Sequence, residues 1–279
     1  MTWWCSAQGG AWSWAWQAYP GVWLMVLLVG GSYAWALTRL QPPRFAGDDR
    51  PTRPREIWAF AAGLLLLWIA ADWPVGALAA GYLLSVKTAQ LLVFLLIAPP
   101  LMLLGLPRWL LRRALRGRVA FRVARFMTRP LIPLILYNVV LAAVHLPPVV
   151  DGLGTTQLGS FAVDITILAT GFAFWWPALG RLPELQPMSY PGRIGYLMLG
   201  IFLPTVPASF FTFADYPIYS LYELAPRVGG LRAVSDQQIA GLLMKLGGGF
   251  ILFGTMSVMF FRWHAAEETS DVPLKETVP

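Results

Sequence analysis

Charge, cysteine and histidine are all scarce in this sequence. Charged residues make up 13% of its 279 positions, about half of the roughly 25% found in a soluble globular chain. Hydrophobic residues reach 57%, and the mean hydropathy is +0.58. That balance excludes both an ordinary soluble domain and a disordered chain. The one cysteine, Cys5, excludes a disulfide framework, a zinc ribbon and a CxxC redox pair. Two histidines, His145 and His264, are too few for a histidine-rich metal cage. There is no Walker, GxSxG, CxxCH or HExxH pattern, and an enzyme is not expected.

What the sequence does have is long apolar runs. A helix needs about 20 mainly apolar residues to cross the hydrocarbon core. Seven segments approach this: 20–40, 57–72, 84–105, 130–147, 159–178, 194–213 and 237–262. No barrel-type alternation occurs, so the fold class expected is an all-α membrane protein, a seven-transmembrane helix bundle. The second segment is short, and its continuation through Asp72-Trp73-Pro74 reads as a re-entrant piece. Residues 1–19 contain Trp3, Trp4, Trp12, Trp14 and Trp16 but no Lys or Arg. This predicts an interfacial anchor rather than a signal peptide. Residues 20–263 form the membrane domain. Residues 264–279, with Glu267, Glu268, Asp271 and Glu276, read as a disordered cytoplasmic tail. Pro99-Pro100 predict a kink in the third span, and Pro204 and Pro207 a bend in the sixth. Gly247-Gly248-Gly249 predict close approach of a neighbour to the seventh.

The net charge of +7 is mostly topology. Alternate loops lie on opposite sides of a membrane. One side then carries 17 of the 21 basic residues, Arg44, Arg50 and Lys275 among them, and the other only Arg227 and Arg232. The positive-inside rule predicts the N-terminus outside and the C-terminus cytoplasmic. The stretch 108–129 contains eight arginines and no acid. Between two spans it is expected to lie against anionic lipids, and no nucleic-acid partner is expected.

Ionisable residues inside a span are costly and mark candidate sites. Lys87, His145, Asp164 and Lys245 all fall in the outer half of their spans. Gln90, Asp236 and Gln237 share that depth, with Asp72 and Gln238 nearby. The expectation is a buried polar cluster of Lys87, Gln90, His145, Asp164, Asp236, Gln237 and Lys245. Asp164 is expected to pair with Lys87 or Lys245. Such a pair is either a packing device or part of a functional site. Cys5 is placed outside the bundle, solitary and open to reaction.

Several phrases then line up. They are Gln90 leading to Ala98-Pro99-Pro100, Leu103-Leu104-Gly105-Leu106-Pro107, His145-Leu146-Pro147 and Phe174-Trp175-Trp176-Pro177. Tyr216-Pro217-Ile218-Tyr219 and Asp236-Gln237-Gln238-Ile239-Ala240-Gly241-Leu242, before the glycine run, complete the set. In order and spacing the chain resembles the CtaG family of bacterial caa3-type cytochrome c oxidase assembly factors, from the first span to Trp263.

The resemblance implies a seven-helix protein of the bacterial inner membrane, linked to copper supply for haem–copper oxidases and partnered by their subunits. It also implies histidine pairs at i, i+4 in the third and fifth spans. Here those positions are Lys87 and Leu91, and Ser160 and Asp164. Lys245 stands where the family usually has tryptophan. His145 is the one remaining candidate metal ligand. A protonated ammonium does not ligate and repels a cation, so this set predicts a charge pair where the family has a copper site. Two functions stay open. One is an oxidase assembly factor. The other is a metal-free accessory subunit of a respiratory or photosynthetic membrane complex. A transporter ranks last, because the sequence shows no repeat and no second charged layer at the inner end.

Overall fold

A computed structural model describes residues 2–41, 51–185, 188–202 and 204–271. Arg44, Arg50, Lys275 and Glu276 lie outside the described residues. Helix makes up nearly all regular structure, and no strand occurs among the described residues. In chain order the helices are α1 (Pro20–Arg39), α2 (Pro54–Ala71), α3 (Val75–Gly81), α4 (Leu84–Leu92), α5 (Ala98–Gly105), α6 (Arg108–Ala114), α7 (Arg118–Met127) and α8 (Leu131–Val144). They continue as α9 (Pro147–Leu153), α10 (Gln157–Leu179), α11 (Tyr190–Phe202), α12 (Thr205–Phe213), α13 (Ser220–Glu223), α14 (Ala233–Leu242) and α15 (Gly248–Asp271).

Six helical stretches are long and apolar enough to cross a membrane: α1, α2, Leu84–Gly105, α10, Tyr190–Phe213 and Ala233–Glu268. The chain is a multi-pass membrane protein. A seventh crossing depends on α7 and α8, which meet at 78°. α8 alone has 14 residues, about 21 Å of helix. Arg129-Pro130 interrupts the helix before it, and Pro147 holds Leu146 extended after it. The expected seven spans are thus six to seven.

The third span is continuous but contains one wide turn, Val93–Ile97, before Pro99. Proline has no N–H to give the carbonyl four residues back, which here is Leu95. The indole of Trp175 donates to that carbonyl instead, at 3.1 Å. Two of the sequence phrases, Ala98-Pro99-Pro100 and Phe174-Trp175-Trp176-Pro177, therefore meet across the core. Gly171 faces the same place, where an added Cβ would come within 2.8 Å of the Leu95 carbonyl oxygen. The prolines of the sixth span fall where α11, ending at Phe202, gives way to α12, starting at Thr205, within one apolar stretch.

Four other expectations change. The glycine run is split: a Cβ on Gly247 would meet Leu92 Cδ1 at 2.9 Å, whereas one on Gly249 would meet nothing within 4 Å. The residues after Asp72 form a short buried helix, α3. The tail expected to be disordered is helical through Asp271, because α15 has no breaker after Gly254. The arginine-rich stretch folds into α6 and α7. α7 exposes Arg118, Arg122 and Arg125 together with Val119, Val123 and Phe126, the make-up of a helix lying in a membrane interface.

The tryptophan-rich start is not only an anchor. Trp14 and Trp16 are exposed, but Trp4, Cys5 and Tyr19 are buried in the main core. The segment lies across the end of the bundle as a cap. Trp3 N–H donates to Gln157 (2.8 Å), Ala7 N–H to the Gly154 carbonyl (3.2 Å), and Tyr82 O–H to the Gly10 carbonyl (2.8 Å). Gly76 and Gly81 permit this approach, since added Cβ atoms would come within 2.8 Å of Cys5 Sγ and 2.7 Å of Ala7 Cα.

Candidate functional site

The polar residues gather beneath the cap. α4 and α10 each contribute one charge there. Lys87 Nζ lies 2.8 Å from Asp164 Oδ1 and donates to Gln90 Oε1 at 2.9 Å. Gln90 in turn donates to the Ala70 carbonyl at 2.8 Å. The second carboxylate oxygen, Asp164 Oδ2, accepts from Trp4 Nε1 at 3.0 Å. The Asp164 side chain is 4% exposed and that of Lys87 22%. The buried carboxylate thus has a partner on each oxygen, which is what burial of a charge demands.

Trp4 is the member of the site that sequence reasoning missed. It is 1% exposed and packs edge-on against Phe161, with ring centroids 4.9 Å apart. Only its i-to-j separation of 160 residues hid it, since tryptophan near a chain end reads first as an interface residue. Asp72 is satisfied in the same way, by Trp23 Nε1 at 2.8 Å and Trp68 Nε1 at 2.9 Å.

Asp236 and Gln237 do structural duty beside the pair. Asp236 accepts from Leu84 N–H (2.6 Å), from Ser85 N–H (3.2 Å) and from the Ser85 hydroxyl. It therefore closes the open start of α4, where helix N–H groups lack partners. Gln237 accepts from Ile218 N–H and donates to the Tyr216 carbonyl, holding the loop before α13. His145 ends α8. Its Nδ1 is 2.7 Å from the Leu141 carbonyl and its own carbonyl accepts from Tyr219.

Lys245 does not join them. It lies in the wide turn Leu243–Gly247 and is exposed on the outside of the bundle. The seam that α14 and α15 bury runs through Gln237, Ala240, Gly241, Met244, Gly248 and Leu252. Lys245 is one residue past Met244, about 100° round the helix, and so it leaves the expected cluster.

Lys87, His145, Ser160, Tyr219 and Tyr222 border a cavity of about 60 Å³, room for a few waters. Thr88 adds a hydroxyl, and Leu91, Val144, Val163 and Ile167 are among the apolar walls.

A second buried ion pair lies far along the chain from this site. Arg181 Nη2 is 3.3 Å from Glu56 Oε1 and donates to the Leu106 carbonyl at 2.7 Å. Both side chains are largely buried. The expectation of no second charged layer was wrong. Arg181 follows α10 and Glu56 opens α2, so both looked like ordinary loop and helix-start charges.

The model of one family, the cytochrome c oxidase caa3 assembly factors (Caa3_CtaG), matches residues 31–266. The chain belongs to that family. No curated protein and no solved structure matches it. The match covers every helix of the bundle and leaves out only the cap, the start of α1 and the C-terminal end. Membership implies an accessory role in building an oxidase rather than catalysis.

The residues at this Caa3_CtaG member's polar site do not suit copper. The position beside Asp164 holds an ammonium, which repels a cation. Both Asp164 oxygens are committed to N–H donors, and His145, whose Nδ1 faces the Leu141 carbonyl and whose Nε2 is left over, brings a single imidazole to the site. Among the described residues no three of His, Cys, Asp and Glu come together as a metal cage.

Nor is Cys5 a substitute. Its thiol is buried against the Ala71 carbonyl, with Sγ–O 3.3 Å. Burial pushes its pKa well above the ordinary thiol value, and the Asp164 and Asp72 carboxylates add to the rise. The thiolate is the reactive form. Cys5 should therefore resist a maleimide at neutral pH in the folded protein and label fully once the protein is unfolded in detergent. Equal labelling in both states would show that the cap is open.

Proposed function

We propose that this chain supports maturation of the copper centre of a haem–copper oxidase in the bacterial inner membrane, by engaging an oxidase subunit rather than by carrying copper at its polar site. The family match supports the assembly role. The observation that carries the metal-free reading is the Lys87–Asp164 pair with Trp4 on the second oxygen. It occupies the positions where the family resemblance puts histidines, and it holds the end of the bundle shut. The charge split supports a cytoplasmic C-terminus, and α7 supports contact with anionic lipid through its exposed arginines.

Deleting the gene should leave oxidase subunits in the membrane but lower their copper content and activity. Wild type and His145→Ala should both restore them. Purified protein should contain far less than one copper per chain. Stoichiometric copper in the wild type, lost in a folded His145→Ala variant that no longer restores the oxidase, would overturn the metal-free reading. Unchanged oxidase copper and activity in the deletion strain would overturn the assembly role itself.

A further inference from the structure

Lys245 is a charge in an unusual place. Two residues of the same span bracket its depth. Asp236, at the level where α4 begins, is nine residues earlier, about 14 Å along a helix axis. Arg262 is 17 residues later, about 26 Å. An apolar core about 30 Å thick fits between these two charges, and Lys245 falls inside it. The amine stem is shorter than the 14 Å to the Asp236 level, so snorkelling along its own helix does not bring it there.

The other charges that lie buried or half-buried near this end of the bundle have partners. Lys87 has Asp164, Asp236 has the start of α4, and Asp72 has two indoles. Lys245 has neither a hydrogen bond nor an ion pair among the described residues. Lys245 and Gly249 border a shallow groove with Leu92, Leu141 and Ile201, and the neighbours on their own helix are apolar and face outward. Leu242, Leu246 and Phe253 are exposed around it. Gly249, one turn further on the same face, is open, since a Cβ there would meet nothing.

An ammonium in hydrocarbon needs an opposite charge. A glycine on a lipid-facing surface removes a side chain where another backbone can come close. We propose that this face, centred on Lys245 and Gly249, docks a membrane-spanning helix of another chain that carries an aspartate or glutamate at matching depth. The carboxylate pairs with Lys245 on docking, and the partner's backbone packs on Gly249 between the leucines. The wide turn Leu243–Gly247 supports the placement, because an added residue in a helix re-aims side chains and such turns often mark functional positions. The inference does not require the partner to be an oxidase subunit, so it stands apart from the assembly reading.

The full chain, carrying a donor dye at its C-terminus, can be reconstituted in phosphatidylcholine vesicles with a synthetic polyleucine helix that bears an acceptor dye. One helix has a single glutamate at the depth of Lys245, and its twin has glutamine there. Energy transfer should show the glutamate helix associating at least about tenfold more tightly. Lys245→Met should abolish that preference, and Lys245→Arg should keep it. Gly249→Leu, with the lysine intact, should weaken binding of both helices. Lys245 touches no partner in the fold, so Lys245→Met should keep the wild-type melting temperature. Equal binding of the two helices, or a preference that survives Lys245→Met, would overturn the proposal. So would loss of the preference when a small fraction of phosphatidylglycerol is added, because a lipid headgroup would then be the partner of the ammonium.

Discussion

Asp164→Leu should lower the stability of the protein in detergent by about 3 kcal/mol, because it leaves the half-buried Lys87 ammonium with Gln90 but without its counter-charge. It also strands the Trp4 N–H, which has no other acceptor among the described residues. Lys87→Met should be damaging too, since the carboxylate then keeps only the indole. The double variant, Lys87→Met with Asp164→Leu, replaces both charges with apolar groups of similar volume. It should recover more than half of the loss, as buried pairs replaced together commonly do. Melting curves of the four proteins give the coupling directly. If the double variant loses as much as the two singles combined, the charges do not act on one another, and the geometry at 2.8 Å is energetically idle.

Trp4→Ala is the second large effect. The indole is nearly fully buried and packs on Phe161. Truncating such a side chain costs about 3–5 kcal/mol, and losing the bond to a charged acceptor adds to that. Trp4→Phe keeps most of the ring and loses the N–H, so it should fall between wild type and alanine. The more telling readout is chemical. With Trp4 gone, the cap should loosen and the neighbouring Cys5 should react with a maleimide in the native protein. A Trp4→Ala protein with wild-type melting and an unreactive Cys5 would mean that the cap is held by its backbone bonds alone.

The sequence made the spans and their order legible because prolines, charges and apolar length mark helix ends directly. Pro147 ends α8, Pro204 interrupts the sixth span, and Arg108 begins the helix after the third. The Lys87–Asp164 pair was also legible, because two opposite charges at one depth have few alternatives to each other. Three features were not. Which way Lys245 faces depends on rotation about a helix that is apolar on nearly every side, so periodicity did not orient it. The turn Leu243–Gly247 shifts that rotation further. The Glu56–Arg181 pair joins residues that each had an ordinary local explanation. Trp4 reaches its partner only through the folded end of the bundle, and no local pattern encodes a contact across 160 residues. Conversely, the prolines at 99 and 100 announced a disturbed helix, but not that Trp175 would supply the missing donor.

The cap has a consequence for biogenesis. Its residues leave the ribosome well before Gly154, Gln157, Phe161 and Asp164, to which it is fastened. Until α10 has entered the membrane, the segment can rest on Ala71 and Tyr82 but lacks the partners that close it, so the Cys5 thiol stays within reach of water. That thiol is thus a built-in clock for synthesis. Chains stalled before α10 would take up a maleimide at Cys5, and chains stalled after it would not.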